Sequence, residues 1–236
     1  MTRNSLTSPT RELTPTDGRR LRWTQHRAER RAAFVDAGVR AIDLYGAVAS
    51  AEQIAEEAGV SRTVLYRYFR DRDDLRQAIA ENAVQQVLDG VMPKLQLTPQ
   101  STPHEIIHAA ISVIVRWLDE HPNLYYFLRN RTDASSLESV EKTLADTVAA
   151  LLKLVMVYFG MSSGVAEPHA HGIVGFVEAS GGWWLQHRTM SREAFTEIVS
   201  TGVWHMLEGS ARDAGIQLGY DEALPVGAPT LGTVEV

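Results

Sequence analysis

Two short amphipathic segments meet at Gly59, and their spacing restricts the fold more than any other feature of the chain. Ser50 followed by Gln53 has the spacing of a capping box, which starts the first segment. Gly59 can adopt the left-handed backbone that a tight interhelical turn requires, and Ser61 can cap the second segment. The side chains available for the contact between them are Ile54, Ala55, Ala58, Val60 and Leu65. Because such short helices bury little unless they cross steeply, this pattern predicts a helix-turn-helix.

The second helix of this pair carries arginine and tyrosine on the side expected to face away from the core. Arginine can bridge a guanine edge or a phosphate, tyrosine hydroxyls reach phosphates, and threonine can touch a thymine methyl group. The side chains on this face are Arg62, Thr63, Tyr66 and Arg67. They predict a contact with double-stranded DNA, and the alternative is a solvated surface with an amphipathic tyrosine pair.

Three aspartates, Asp71, Asp73 and Asp74, directly follow the arginines. Negative side chains are favoured at the start of a helix, where they face exposed amides and the positive end of the helix dipole. We expect these residues to begin the next helix, with Asp71 as its cap. The acidic run is therefore interpreted as structural, not catalytic.

Helical periodicity continues through the rest of the chain. The segment Thr102–Glu105 supplies a cap, a proline at the first helical position and a capping-box glutamate. Further helix starts lie at Ser135 and Ser191, and no stretch alternates between apolar and polar residues as a half-buried strand would. We predict an all-α fold of about nine helices, the first beginning near Trp23.

Charge divides the chain into two parts. Residues 1–80 hold 14 arginines and 11 acidic residues, a local balance of +3 in a chain whose net charge is -6. The asymmetry indicates two domains with different partners. We predict a helix-turn-helix DNA-binding domain at 23–72 and a second helical domain at 73–213. A flexible basic arm over 1–22 and a loose tail over 214–236 are expected to flank them.

The N-terminal arm contains Arg19, Arg20 and Arg22. These side chains could lie along the DNA backbone or enter the minor groove beside the main contact. A solvated tail is the alternative, and the sequence does not choose between the two.

Composition and motifs exclude several kinds of site. The chain has no cysteine, which removes disulfides, thiolate catalysis and cysteine-ligated metals. The polar N-terminus lacks the apolar core of a secretory signal, and the longest apolar run is short and interrupted by Lys153. Without a glycine-rich phosphate loop, an HExxH motif or a nucleophile elbow, neither an enzyme nor a cofactor is expected. We expect a cytoplasmic protein with no membrane partner.

The stretch QIAEEAGVSRTVLYRYFRDRDDL, which ends at Leu75, resembles the TetR family of bacterial one-component transcription regulators. The family pattern reads I-A-x-x-A-G-V-S-x-x-T-L-Y-x-H-F-x-S-K-x-x-L, and the resemblance covers about residues 27–80. It implies a repressor whose third helix reads bases. It also implies phosphate contacts from Ser50, Tyr66, Tyr68 and the first turn of the fourth helix, which includes Arg72.

Three positions depart from the family pattern. Tyr68 stands where the family often has histidine and Arg72 where it usually has lysine, and both keep a donor for phosphate. Val64 stands where threonine is common, so an apolar contact to a thymine methyl group replaces a polar one in our interpretation.

The resemblance further implies that the domain at 73–213 is a ligand-binding and dimerisation domain, with a small-molecule cavity among helices four, five, seven and eight. The candidate lining is Ile107, Ile111, Ile114, Trp117, Tyr126, Phe127, Asn130, Leu151, Val155, Val174, Glu178 and Trp183. Such an apolar lining favours a hydrophobic ligand of the fatty-acyl, polycyclic or drug-like kind. Glu178 is exceptional: it could pair with Arg129 or Arg131, could bind a polar group of the ligand, or could be solvated.

The last two helices are expected to form a homodimer, which is the family's usual arrangement and implies a palindromic operator. Gly172, Gly175, Gly181 and Gly182 would let two backbones approach closely, at a cost in helix stability. The matching stripe on the last helix is Phe195, Ile198, Val199, Gly202 and Met206.

Two alternatives to a ligand-responsive regulator remain open. His104 and His108 are four residues apart and could share a metal, which would indicate a metal-responsive regulator, although ordinary surface or core histidines are the simpler interpretation and no metal site is predicted. A helix-turn-helix regulator that assembles with a partner and binds no ligand is the other alternative.

Overall fold

The computed structural model describes residues 15–95, 100–129 and 134–224, with side chains for 23–95, 100–129 and 141–224. Within these ranges the chain forms nine α-helices and no strand, which confirms the all-α prediction. The helices are α1 (Pro15–Tyr45), α2 (Ala51–Glu57), α3 (Arg62–Leu65), α4 (Arg72–Val91), α5 (Pro103–Glu120), α6 (Pro122–Arg129), α7 (Ala134–Tyr158), α8 (Ala166–His187) and α9 (Arg192–Asp213). Short 3-10 turns at Met92–Leu95 and Ser163–Val165 follow α4 and precede α8.

The N-terminal core is built where α1, α2, α3 and the start of α4 meet. Ile42, Leu65 and Ile79 are completely buried there, and α6 adds Leu124 to the same cluster. Gly38 lets α4 approach α1 closely, because a Cβ at that position would lie 2.7 Å from Cδ1 of Ile79. The predicted interhelical contact is confirmed: Ile54, Ala55 and Leu65 are buried in this core, and Ala58 and Val60 pack against it.

Helix α3 is shorter than the periodicity predicts. It ends at Leu65, and the amides of Arg67 and Tyr68 donate to carbonyls three residues back, at 3.1 and 3.0 Å. Such bonds tighten the backbone into a final 3-10-like turn. This turn lets Phe69 enter the core while Asp71 takes the extended conformation that starts α4.

Helix α1 begins at Pro15, well before the predicted start near Trp23. Proline is favoured at the first helical position, and polar residues can continue a helix without giving the apolar periodicity by which a helix is recognised. The expectation of a flexible arm therefore does not hold for residues 15–22, and residues 1–14 lie outside the described part of the chain.

The C-terminal unit is a bundle in which α5 packs on α9 and α7 packs on α8. Trp184 is at its centre, 1% exposed, with its ring stacked on Phe195 at 4.9 Å between centroids. The Trp184 indole N–H donates to the Met190 carbonyl at 3.1 Å, which satisfies the one polar group of this buried ring. Within the described residues, no helix is both long and apolar enough to cross a membrane.

The C-terminal strap, residues 216–224, is not loose as the sequence suggested. The His104 amide donates to the Tyr220 carbonyl at 3.0 Å, and the Leu224 amide donates to the Ser101 carbonyl at 3.0 Å. Isolated aliphatic residues without periodicity can still pack on a neighbouring surface, and this explains why the pattern missed the strap. The remaining tail, 225–236, lies outside the described residues.

His104 also binds the strap through its side chain. Its Nδ1 lies 2.9 Å from Asp221 Oδ1 and its Nε2 lies 3.4 Å from Glu197 Oε2. Partial burial opposes the imidazolium charge, but the hydrogen bonds to Asp221 and Glu197 outweigh it and raise the pKa of His104. Stability gained in this way is fully present at low pH and is lost as the pH rises through the raised pKa.

We expect the strap to be more protected from hydrogen exchange at about pH 5.5 than at about pH 8.5, after correction for intrinsic exchange rates. Exchange measured by mass spectrometry on peptides spanning 216–224 tests this. His104→Asn cannot be protonated and should remove the difference. An unchanged pH dependence in that variant would assign the effect to other groups.

Candidate nucleic-acid interface and ligand cavity

The turn between α2 and α3 has the geometry that its sequence predicts. Gly59 has φ +67, in the left-handed region. Ser50 and Gln53 form the complete capping box, with Ser50 N–H donating to Gln53 Oε1 at 2.8 Å. Ser61 caps α3 by accepting from the Val64 amide. The two short helices are therefore fixed at both of their starts and at the turn between them.

The predicted recognition residues divide into two groups. Arg62, Thr63 and Arg67 are exposed and available to a partner. Val64, Tyr66 and Tyr68 are half-buried and pack against the N-terminal core. Ser50 is half-buried at the head of α2, and Arg72 is exposed at the head of α4.

Arg62 is held in place within the free protein. Its guanidinium forms an ion pair with Glu52 of α2, and its Cζ lies 5.4 Å from the centroid of the Tyr66 ring. A backbone hydrogen bond at the start of α2, together with the nearby guanidinium, lowers the pKa of Glu52. Both side chains are more than half exposed, so the pair is weak and Arg62 can exchange it for a phosphate or a base.

Tyr68 has a structural role that the sequence did not indicate. Its ring meets Phe34 edge-on, at 5.0 Å between centroids, and Arg27 lies over its other side at 5.5 Å. Arg27 also donates to the Arg67 carbonyl at 3.1 Å. The turn after α3 is thereby attached to α1, and Val64 likewise contributes packing at the position where the family often has threonine.

The acidic start of α4 is confirmed as a helix cap. Asp71 Oδ1 accepts from the Asp74 amide at 2.8 Å. Asp74 in turn accepts from the Arg70 amide at 2.9 Å and pairs with Arg31 of α1 at 2.9 Å. The amide of Arg70, followed by the charges of Arg31 and Arg70, lowers the pKa of Asp74. The link from Arg31 to Asp74 was not predicted, since the sequence does not show which charges from distant segments meet.

A cavity of about 200 Å³ lies among α4, α5, α7 and α8. Five of the predicted residues line it, which are Ile111, Ile114, Trp117, Val174 and Glu178. The prediction missed the wall contributed by α4, namely Ala83, Val84, Val87, Leu88 and Val91. The four-residue stepping of Ala83, Val87 and Val91 was the signal that could have identified it.

The other predicted lining residues lie elsewhere. Ile107 and Val155 line a different pocket, and Leu151 is half-buried on α7 outside both linings. Tyr126 and Trp183 are 38% and 45% exposed. Helical periodicity identifies an apolar face but not which part of it meets a cavity.

Phe127 is also not part of the cavity wall. It is buried in the N-terminal core, where Arg76 lies 4.2 Å from its ring centroid and donates to its carbonyl at 2.8 Å. Asn130 lies outside the described residues.

A polar cluster faces this largely apolar cavity, whose lining also includes Glu141. Arg129 Nη1 lies 2.7 Å from Glu178 Oε1 and donates to the Tyr125 hydroxyl at 2.8 Å, which confirms Arg129 as the partner of Glu178. Burial, together with the Glu178 carboxylate, raises the pKa of Tyr125. The hydrogen bond to Tyr125 and the charge of Glu178 raise the pKa of Arg129. The cluster thus places a paired cation and anion in the cavity wall.

The glycines of α8 have two different roles. A Cβ at Gly181 would meet Leu118 at 2.6 Å, and a Cβ at Gly182 would overlap the Tyr125 hydroxyl. These two glycines therefore serve contacts within the chain, and the expectation that they lie at a dimer contact is wrong. Gly172 and Gly175 are exposed, with nothing within 4 Å of an added Cβ.

The predicted stripe on α9 divides in the same way. Phe195 and Val199 are buried in the C-terminal core, and Met206 packs against it. Gly202 faces Phe176 of α8, whereas Ile198 is 55% exposed. The helical periodicity could not distinguish the inner face of α9 from its outer face, because both carry apolar residues at helical spacing.

Helix α6 and the end of α5 link the two units of the chain. The His121 ring lies 3.0 Å from the Asp43 carboxylate, and Asn123 donates to the Asp43 carbonyl at 3.0 Å. Arg76 of α4 adds its bond to Phe127 of α6. Helices α4 and α6 are therefore both bonded to the N-terminal unit.

Gly182→Ala should destabilise the protein by about 1–3 kcal/mol, because the new methyl group and the Tyr125 hydroxyl occupy the same space. Tyr125→Phe removes that hydroxyl, so the double variant should lose less than the sum of the two single changes. Denaturant unfolding of the four proteins measures this coupling. Strictly additive free energies would contradict the proposed contact.

Among the described residues, no group of three or more His, Cys, Asp or Glu side chains is arranged to hold a metal ion. His104 and His108 are instead both near Glu197, at 3.4 and 3.8 Å.

Comparisons with known proteins agree with this architecture. Residues 34–79 match the family model "Bacterial regulatory proteins, tetR family", and residues 97–217 match "Tetracyclin repressor-like, C-terminal domain". The HTH-type transcriptional regulator Rv0472c of Mycobacterium tuberculosis, itself uncharacterised, is 34% identical over 205 residues, which are 85% of this chain and 86% of that protein.

Solved structures share the fold. A TetR-family regulator from Rhodococcus sp. aligns with TM-score 0.64 and 19% identity over 76% of this chain and 98% of that one. FadR from Bacillus subtilis, solved in complex with stearoyl-CoA, aligns with TM-score 0.60 and 18% identity over 73% and 96%. The family and these relatives are transcriptional regulators and not enzymes. The chain therefore belongs to the TetR family of DNA-binding transcriptional regulators.

Proposed function

We propose that this protein is a ligand-responsive repressor that binds a palindromic operator as a homodimer and is released by a hydrophobic small molecule. The observation that carries the proposal is the position of α4. Its first turn is capped beside the recognition helix, and its second half forms one wall of the cavity. A ligand that prefers one position of α4 thereby changes the placement of the helix-turn-helix.

DNA contacts are proposed for the exposed face around α3. Arg62, Thr63 and Arg67 reach bases or phosphates, while Ser50 at the head of α2 and Arg72 at the head of α4 reach phosphates. Tyr66, Val64 and Tyr68 pack against the N-terminal core beneath this face. Their packing fixes the position of the exposed side chains relative to the DNA. Acting on DNA, the protein would work in the cytoplasm.

Arg67→Ala should lower operator affinity by about 1–3 kcal/mol if it reads a base, or reduce the salt slope of binding by about one if it contacts a phosphate. Fluorescence anisotropy at several salt concentrations, with DNA from upstream of the protein's own gene, distinguishes the two. Arg116→Ala is the matched control, since Arg116 is exposed on α5 in the other unit. Equal effects of both substitutions would refute a local contact.

The proposed dimer contact is the outer face of α8 and α9. Small residues alternate there with exposed apolar ones, and this allows close approach of two helix pairs. The face comprises Gly172, Gly175, Ala179, Trp183, Ile198 and His205, all of which are exposed in the single chain. A two-fold axis through it would present two copies of α3 about 34–36 Å apart, one turn of DNA.

Ile198→Arg should convert the dimer to a monomer, because it places a charge in the centre of this face. Sedimentation velocity gives the mass directly. Val157→Arg is the matched control, an exposed aliphatic on α7 that is outside the proposed contact. A dimer that survives Ile198→Arg would place the interface elsewhere.

The ligand is proposed to be largely hydrocarbon with one polar group. The apolar walls from α4, α5 and α8 favour such a body, and Glu178 with Arg129 provides the place for the polar end. The neighbouring FadR structure contains stearoyl-CoA, which supports a fatty-acyl ligand as one candidate among polycyclic and drug-like compounds.

A thermal-shift screen of lipophilic compounds tests this proposal, since a ligand that binds the folded state raises the melting temperature. Ala83→Leu narrows the cavity and should abolish the shift, and Glu178→Gln should weaken compounds that carry a polar end. Glu120→Gln, on the exposed end of α5, is the control. If no compound shifts the melting temperature of the wild-type protein, the result would favour a helix-turn-helix regulator that binds no small-molecule ligand.

A further inference from the structure

A second apolar pocket, of about 140 Å³, lies in the C-terminal unit. Its walls come from the start of α5, the end of α7, the end of α9 and the C-terminal strap. Its lining includes Ile106, Ile107, Leu152, Met156, Trp204, Leu218 and Leu224. Among the described residues, its lining has no member in common with that of the first cavity.

We propose that this strap-covered pocket is a second ligand site, which binds a small, uncharged aromatic hydrocarbon. The site is separate from the effector cavity, and its existence does not depend on what that cavity binds.

The chemistry of the lining supports an apolar occupant. Glu208 is the one charged side chain among the described lining residues, and its carboxylate pairs with Arg212 at 3.2 Å. A buried water needs two to four polar partners, which these walls do not offer. An apolar cavity of about 150 Å³ in another protein stays dry and binds benzene, so a pocket of this size fits one ring.

The rings in the wall favour an aromatic occupant over an aliphatic one. Trp204 and Phe159 both line the pocket and can contact a bound ring edge-on or in an offset stack. The Trp204 ring is itself fixed, because Tyr220 of the strap stacks on it at 5.3 Å between centroids. The aromatic wall is therefore oriented before a ligand arrives.

The strap makes this a closable site. Leu218 and Leu224 contribute part of the wall, and the bonds that hold them are those from His104 to Tyr220 and from Leu224 to Ser101. A ligand that contacts these leucines stabilises the docked strap and is retained by it. Ligand binding in the pocket and docking of the strap are therefore coupled, and measuring either one reports on the other.

Toluene is the probe that we would titrate into the full-length protein, with methyl-labelled Ile, Leu, Val and Met followed by NMR. We expect saturable shifts at the methyl groups of Ile106, Leu152 and Leu224. Ala211→Leu fills the pocket from α9, where Ala211 is 3% exposed in the lining, and should abolish these shifts. Ala83→Leu fills the first cavity instead and should leave them unchanged.

A second variant covers the case in which Ala211→Leu does not fold. Truncation after Gly215 removes both strap leucines and should weaken toluene binding at the remaining methyl groups roughly tenfold. The proposal is overturned if these methyl groups do not shift in the wild-type protein. It is also overturned if toluene shifts only methyl groups of the first cavity, or if folded Ala211→Leu binds as the wild type does.

Discussion

Helix α4 belongs to both units of the chain at once, and it joins the helix-turn-helix to the cavity. Its first turn is fixed by the Asp71 cap and by the pair between Asp74 and Arg31. One turn later Arg76 joins it to α6. Its second half faces the cavity with apolar side chains. On the function proposed above, a shift of α4 at the cavity would also move its first turn, so ligand sensing and DNA recognition would share this helix.

An acidic chain that binds DNA has to control its local charge, and the recognition face shows how this is done. Glu52 pairs with Arg62 across the turn, while Asp71 and Asp74 are used for the start of α4. Arg67 and Arg72 remain exposed on this side of the molecule, although the whole chain carries -6. The pair with Glu52 holds Arg62 toward α2, and its exposure means that a phosphate or base could replace the carboxylate.

The parts predicted well from sequence were those decided by local chemistry. The caps at Ser50 and Asp71 and the turn at Gly59 depend on residues within four positions of one another. The cavity was predicted only in part, because a helical repeat cannot tell a face that lines a void from one that fills a core, as Phe127 shows. Gly182 was predicted to contact a second chain, but it packs against Tyr125 of its own chain. A glycine indicates close approach but not which chain approaches.

The proposed coupling between the cavity and the helix-turn-helix can be tested by measuring the distance between the two copies of α2 in the dimer. The chain has no cysteine, so Glu56→Cys on the exposed side of α2 gives one spin label per protomer. Double electron–electron resonance then compares the free dimer with the dimer bound to a compound that raises its melting temperature. If α4 transmits ligand binding, we expect the label-to-label distance to change together with the loss of operator affinity. An unchanged distance distribution, with operator affinity nonetheless lost, would contradict transmission through α4.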